Sequence, residues 1–361
     1  PWLPQTTASV EKRIIAMQKL CSEWPEIAWR LLISLLPSQQ QVSLGTYKPK
    51  WRMTIPDDKE KKIDTEEYWQ QVGQYAELAV LMAEDNYIKL GELVDHLEKL
   101  PKSSFERVLE ILSSDMIIEL PDIERLPLWE KLFKLVMNHR RFPDANRPRG
   151  EEILLAIEEI ANKLVPSDPL YRYQHLFTWD DFELCMDYGE WEEQQSKIAA
   201  RRQDAISEIM SLYGLEGVLC FAGIVKNSRQ AGYSLACIAA EDVDRELLSS
   251  SLTSSEHRMI ELARGFIWGR YSTCGWTWVD QIDKTEWAQE SIVQFLISLP
   301  FTHQTWERAH DWLGKLKGEY WRVCFVNPYH ADGDLSIAID ELVSSGRPRA
   351  ALECLYVTYH N

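Results

Sequence analysis

The sequence lacks the short motifs that mark the common enzyme classes. Its 361 residues contain no G-x-x-x-x-G-K-[ST] nucleotide-binding loop, no G-x-S-x-G nucleophile elbow and no H-E-x-x-H zinc motif. Gly314-Lys315-Leu316 has neither the upstream glycine nor the hydroxyl that a phosphate-binding loop requires. We therefore predict that the chain is not an enzyme, and that this segment holds no cofactor and no metal.

Long apolar runs, paired cysteines and basic residues are also scarce. No run of eighteen apolar residues and no basic-then-apolar leader occurs, so no membrane contact is predicted. The seven cysteines form no C-x-x-C pair, and we expect small buried hydrophobes in a reducing, cytoplasmic compartment. The 39 lysines and arginines face 56 acidic residues, a net charge of −17 that disfavours nucleic-acid binding, because such binding depends on neutralising phosphates.

What the sequence does contain is a repeated pattern. Residues 93–101 (LVDHLEKLP) recur as residues 292–300 (IVQFLISLP), and each copy is soon followed by an aromatic-Glu-Arg triplet, at 105–107 and 306–308. Apolar residues spaced three apart share one helix face. Each copy therefore predicts an amphipathic helix, a proline stop and a second helix that begins near the aromatic residue. Such a unit cannot bury its apolar face alone, which favours stacked repeats.

The pattern continues along the chain and predicts an all-α fold with negligible strand. Nearly every segment has helical spacing of apolar residues, and prolines punctuate the ends. We expect an α-solenoid of TPR-like helical hairpins. N-terminal repeats would cover residues 1–142, with a long loop at 38–62, and C-terminal repeats would cover 151–361 after a linker at 143–150 within the array. The last residues directly follow a predicted helix, so we expect a segment of a larger protein.

A basic cluster supplies the first candidate binding residues. His139, Arg140 and Arg141 precede Arg147 and Arg149 at the end of a predicted helix. Cations at a helix C-terminus favour the helix dipole, which is one interpretation. The other is that the arginines bind carboxylates of a partner through paired hydrogen bonds.

A tryptophan-rich stretch supplies the second candidate. Trp276 and Trp278 follow Phe266-Ile267-Trp268 across a glycine-containing turn. Aromatic residues at this density either fill the seam between packed helices or form an exposed anchor for a partner. A metal site at His303, Glu307 and His310 is disfavoured, since no third histidine and no cysteine stands nearby in the sequence.

Several motifs together resemble one family region. They begin with residues 2–6 (WLPQT) and 11–13 (EKR), and they continue through the following segments: 28–32 (AWRLL), 35–37 (LLP), 46–52 (TYKPKWR), 139–145 (HRRFPDA), 265–270 (GFIWGR) and 346–352 (GRPRAAL). In this order they are similar to the helical-repeat, TPR-like C-terminal sensor region of prokaryotic antiviral STAND NTPases of the Avs type. The matches are spread over most of the chain.

The resemblance implies a function. In such a parent protein, an upstream effector and a central ATPase, which uses ATP and Mg, precede the sensor array. The sensor binds a phage protein, such as the large terminase subunit or the portal, after which the parent oligomerises and activates its effector. By this resemblance the chain would be a non-catalytic, cytoplasmic sensor segment, itself a monomer. We expect partner contacts from Lys48 and Arg52 as well as from Arg140, Arg141, Arg147, Arg149, Trp276 and Trp278.

Two other hypotheses remain open at this point. The segment could be a structural spacer or oligomerisation arm that never contacts the ligand. It could also be an unrecognised enzyme, although no nucleophile–base pair can be read from the sequence.

Overall fold

The computed structural model describes residues 8–37, 65–141, 151–179, 190–331 and 333–360. It is 80% helical, and these residues contain no strand, which confirms the all-α prediction. The stacking of hairpins into a solenoid stays a prediction. The chain divides into two compact units, which we call the N-terminal unit (Pro1–Arg172) and the C-terminal unit (Tyr173–Asn361).

The N-terminal unit is built from nine α-helices within the described residues. They are α1 (Val10–Glu23), α2 (Pro25–Leu35), α3 (Thr65–Ala83), α4 (Tyr87–Val94), α5 (Lys102–Leu112), α6 (Asp115–Ile118), α7 (Asp122–Arg141), α8 (Glu151–Lys163) and α9 (Pro169–Arg172). Local sequence explains several starts: α2 opens with a proline, which has no amide hydrogen to leave unpaired. The Asn86 side chain caps α4 by accepting from the amides of Ile88 and Lys89, at 3.1 and 3.0 Å.

One apolar core runs through this unit. It includes Trp29 of α2, Leu93 of α4, Val108 of α5 and Leu132 of α7, all buried, and it extends to Ile160 of α8. Helices α8 and α9 therefore belong to the N-terminal unit. The predicted loop at 38–62 and linker at 143–150 lie outside the described residues, and the division of the array into two sets of repeats stays a prediction.

The C-terminal unit holds the remaining helices. They are α10 (Trp191–Ile224), α11 (Ser228–Ile238), α12 (Asp242–Ser251), α13 (His257–Gln281), α14 (Gln289–Leu296), α15 (His303–Leu313), α16 (Lys317–Val323), α17 (Ser336–Ser344) and α18 (Pro348–His360). Two of them are broken by a glycine in the left-handed region, at Gly214 (φ 64°) in α10 and Gly275 (φ 65°) in α13. Side chains with a Cβ rarely adopt this φ, so glycine permits both kinks.

Helices α11 and α13 approach until their backbones touch. A Cβ on Gly265 would lie 1.8 Å from the carbonyl oxygen of Arg229, and one on Gly232 would lie 1.9 Å from that of Leu262. On Gly269 it would lie 2.6 Å from a neighbouring alanine Cβ. Glycine at these positions is what allows the contact, because any larger residue would force the two helices apart.

The two copies of the sequence repeat have matching structures, one in each unit. In the first, α4 is followed by Pro101 and α5; in the second, α14 is followed by Pro300 and α15. Their matching apolar residues are buried: Val94, Leu97, Leu100 and Phe105 in one, and Val293, Leu296, Leu299 and Trp306 in the other. The helix–proline–helix prediction is thus confirmed. One detail was wrong, because α4 and α14 end at Val94 and Leu296, and the repeated residues that follow lie in turns and, at Leu97–Lys99, in a short 3-10 helix.

The arginine of each triplet reaches back to an acid before its repeat. Arg107 forms an ion pair with Glu84, just after α3. Arg308 donates through Nε and Nη2 to both carboxylate oxygens of Asp280 in α13, at 2.8 and 2.7 Å. Hydrogen bonding by Arg308 lowers the pKa of the Asp280 carboxyl. The triplet therefore ties the second helix of a repeat to the helix that precedes the repeat.

Among the described residues, α10 is the one helix whose length and composition would allow it to cross a membrane. Its most apolar window has a mean hydropathy of 1.4, and 44% of that window is buried inside the protein. Core helices of globular proteins have the same properties, and the break at Gly214 interrupts this one. The helix is weak support for a membrane span.

Candidate functional site

His139 and Arg140 of the predicted basic cluster pair with acidic residues of the N-terminal unit. Arg140 donates to both carboxylate oxygens of Glu158 in α8, at 2.5 and 2.6 Å. His139 contacts Glu98, and Arg141 is half-buried. Arg140 at the end of α7 thus does bind a carboxylate, but that carboxylate belongs to Glu158 of this chain and not to a partner. Four other predicted contact residues lie outside the described residues: Lys48, Arg52, Arg147 and Arg149.

The two predicted tryptophans lie after the kink in α13 and are half-buried. The guanidinium of Arg308 lies over the ring of Trp276, 4.2 Å from its centroid. Trp278 donates through Nε1 to Oδ2 of Asp244, at 2.6 Å. Oδ1 of Asp244 in turn accepts from Nε and Nη2 of Arg270, at 3.0 and 2.8 Å, in a buried ion pair. This placement agrees with the seam interpretation, since both rings are engaged by neighbouring side chains.

The histidine pair on α15 does not converge on a metal. His303 has Nε2 2.7 Å from the backbone carbonyl oxygen of Asp334, and its ring packs on Trp306. No group of three or more His, Cys, Asp and Glu residues that could hold a metal ion occurs in the part of the chain that the structure describes.

The cysteine prediction was wrong for two residues. Cys220 and Cys274 are exposed, whereas Cys324 and Cys354 are buried; Cys185 lies outside the described residues. All six described cysteines are free thiols. Helical spacing alone did not separate the two groups, because both types sit in apolar helical stretches.

The strongest candidate site is a groove in the C-terminal unit, which we call the arginine groove. Its volume is about 930 Å³, and it is open to solvent. Its walls come from the first residues of α11, the middle of α13, the turn between α14 and α15, the segment after α16, and the start of α18. Four arginines line it: Arg229, Arg264, Arg347 and Arg349.

Three of these arginines have no carboxylate partner among the described residues. Arg229 and Arg349 are exposed and make no side-chain hydrogen bond or ion pair to any residue that the structure describes. Arg347 donates through Nη1 to the carbonyl oxygens of Trp321 and Cys324, at 3.1 and 2.8 Å. These bonds fix its position while leaving its charge unpaired. Arg264, by contrast, pairs with a glutamate on its own helix at 2.7 Å.

The Cys324 thiol does not offset the charge of Arg347. Its Sγ lies 3.5 Å from Nη1 of Arg347. Burial raises the pKa of the Cys324 thiol to about 11, despite the opposing effect of the nearby Arg347. The thiol is therefore protonated and neutral at physiological pH. Glu353 is the one acidic side chain among the described residues of the groove wall, so the lining is positive in a chain whose net charge is −17.

The floor of the groove is apolar and aromatic. Phe301 is buried, and Trp268 stacks on His330 with ring centroids 6.2 Å apart. At the rim, Phe325 and Val323 are 74% and 55% exposed. Large apolar side chains next to unpaired cations form a surface that can take an amphipathic anionic ligand, with the apolar part on the floor and the charge at the rim.

Sequence reasoning missed this groove although two of its parts lie in motifs that carry the family resemblance. Trp268 belongs to the segment 265–270, and Arg347 and Arg349 belong to 346–352. The structure brings the two segments together on one groove. No local pattern marks Arg229, which reaches the groove because Gly265 lets α11 and α13 touch at that residue.

The groove carries groups suited to binding an anion. Burial raises the pKa of its Cys324 thiol to about 11, and the arginines on the wall are guanidiniums that donate hydrogen bonds. The groove can hold an anion through forked hydrogen bonds from its arginines, of which Arg347 is held in place by two carbonyl oxygens. No family model, no curated protein and no solved structure matches this chain.

Proposed function

We propose that this chain is a non-catalytic recognition region that binds another protein. On the resemblance of its motifs, the partner is a phage protein such as the large terminase subunit or the portal. The chain would act as the sensor of an antiviral STAND NTPase, a cytoplasmic protein that oligomerises and switches on its effector when the sensor is occupied. Its helical hairpins would stack as TPR-like repeats of an α-solenoid.

The observation that carries the proposal is the arginine groove. It combines three arginines that have no carboxylate partner among the described residues with an aromatic floor and a large exposed phenylalanine. Protein interfaces are enriched in arginine and aromatic residues at their energetic centres. A helical array that carries such a groove offers many further contacts along its surface, which suits recognition of a folded protein.

Binding of purified partners to the purified chain tests this function. Large terminase subunits and portals from a panel of tailed phages are mixed singly with the 361-residue chain and analysed by size-exclusion chromatography with light scattering. We expect a complex with at least one of them and no ATP hydrolysis by the chain. If every terminase and portal elutes separately from the chain at micromolar concentration, the proposed function is wrong.

A second candidate function is a structural arm without ligand contact. One observation favours it: Leu352, Tyr356 and Tyr359 of α18 are 63%, 60% and 79% exposed and lie on one helix face. Exposed apolar helix faces are often covered by another helix. Hydrogen exchange separates the two functions, because a sensor gains protection when the phage protein is added and an arm does not.

A further inference from the structure

We propose that the arginine groove binds an acidic, extended polypeptide segment in which an aromatic or large aliphatic side chain lies between carboxylates. This inference rests on the proposed function, because it names the chemistry of the partner segment that the sensor would bind. Its geometric basis is one groove in the C-terminal unit, so it can be tested separately from that function.

The positive charge of the groove favours an anionic ligand. The chain carries 56 acidic residues, yet Arg229, Arg347 and Arg349 face the groove with no carboxylate partner among the described residues. Each guanidinium offers donors in a planar fork that matches a carboxylate. Arg347 is also held in place by two carbonyl oxygens, so little side-chain freedom is lost when a ligand binds.

The apolar floor selects an amphipathic ligand rather than a simple anion. Phe325, which lines the groove together with the arginines, is 74% exposed, and Trp268 in the same lining is half-buried. A single aromatic or aliphatic side chain from the ligand would cover this surface and remove it from water. An inorganic anion would pair with the arginines but leave Phe325 exposed.

A polypeptide fits better than a nucleic acid. Single-stranded RNA could stack a base on Phe325, but its affinity depends on neutralising a row of phosphates. The groove supplies three arginines that have no carboxylate partner among the described residues, within a chain of net charge −17 whose overall field repels a polyanion. A short acidic segment places two or three carboxylates at the rim without extending a dense negative charge across the rest of the surface.

Fluorescence anisotropy with the 361-residue chain tests the inference. The first probe is a labelled ten-residue peptide of glutamate and glycine with one central tryptophan. The second replaces glutamate by lysine, the third replaces the tryptophan by glycine, and the fourth is a ten-nucleotide single-stranded RNA. We expect the acidic tryptophan peptide to bind most tightly and the lysine peptide not to bind. Tighter binding of the RNA would overturn the choice of a polypeptide.

Variants of the groove identify the residues. Arg229→Glu and Arg349→Glu each remove a charge-assisted pair, so each should weaken binding of the acidic peptide about tenfold. Phe325→Ala should weaken the tryptophan peptide and leave the glycine peptide unchanged. Arg245→Glu is the matched control, because Arg245 is exposed in the same unit, pairs with Asp283 and does not line the groove. Melting curves show that each variant is folded.

The outcomes distinguish the inference from the proposed function. If the acidic peptide binds Arg229→Glu and Arg349→Glu as tightly as the unaltered chain, the groove is not the site and the inference fails. A phage protein that still binds those two variants at full affinity would refute the groove and leave the sensor function standing. Peptide binding that depends on the groove, with no binding of any phage protein, would keep the inference and reject the function.

Discussion

Replacement of Gly265 by alanine should destabilise the C-terminal unit by about 2 kcal/mol. In the present geometry the new Cβ would lie 1.8 Å from the Arg229 carbonyl oxygen and 2.7 Å from its carbonyl carbon. Both contacts are backbone atoms, so no side-chain rotation relieves them, and α11 must move away from α13 by about 1.5 Å to restore ordinary contact. Overpacking of this kind costs up to about 3 kcal/mol, while alanine in place of glycine returns about 1 kcal/mol of helix propensity.

The assay is thermal unfolding followed by far-ultraviolet circular dichroism. For a unit of this size, about 2 kcal/mol corresponds to a fall in Tm of roughly 4–8 °C. Gly223→Ala is the matched control, because this helical glycine belongs to the same unit and a Cβ there would have no described atom within 4 Å outside its own helix turn. We expect its Tm to stay the same or rise slightly. A Tm for Gly265→Ala equal to that of Gly223→Ala would refute the close-packing argument.

Two further perturbations test the buried polar groups of the C-terminal unit. Asp244→Ala should lower the free energy of unfolding by about 3–5 kcal/mol in urea titrations, because it removes the carboxylate that pairs with the buried guanidinium of Arg270 and the acceptor of the Trp278 indole N–H. Iodoacetamide at pH 8 should alkylate Cys274 and spare Cys324 in mass spectra of the native chain. Burial raises the pKa of Cys324 to about 11 and so holds it as a thiol, which is unreactive.

Each of these two perturbations has an internal comparison. Asp283→Ala removes the partner of Arg245 from an exposed ion pair, and with it an acceptor of the Thr285 amide and hydroxyl, so the loss of unfolding free energy should be much smaller than for Asp244→Ala. Equal losses of unfolding free energy for Asp244→Ala and Asp283→Ala would show that burial of the Asp244–Arg270 ion pair adds nothing to stability. Cys324 should react once the chain is unfolded in urea; rapid reaction of Cys324 in the native chain would contradict its burial.

Much of the fold could be predicted because helix periodicity is local. The spacing of Val94, Leu97 and Leu100, and the proline that follows, are visible in nine residues, and the second copy gives the same signal at Val293 to Pro300. Helix boundaries were harder to predict. A Ser103–Glu106 pair has the pattern of a capping box, yet α5 begins at Lys102, so the pair lies inside the helix.

The site could not be predicted because its parts are distant in sequence. Arg229 and Arg349 reach one groove through three-dimensional packing that no local pattern encodes, and the contact that places Arg229 depends on a single missing methyl group at Gly265. The predicted basic cluster around Arg140 is visible in the local sequence. Arg140 nevertheless forms an ion pair with Glu158, which lies eighteen residues further along the chain. Local basic density is therefore a poor guide to free charge when acids are abundant elsewhere in the chain.

The excess of acids gives the arginine groove its significance. With 56 acidic and 39 basic residues, a surface arginine has many carboxylates within reach; Arg140 and Arg308 each pair with one, and Arg107 pairs with two. Arg229, Arg347 and Arg349 pair with none in the described part of the chain, although they line one groove. An anionic ligand in that groove would supply the carboxylates that these three arginines lack. Their charges are therefore available to a ligand of opposite sign.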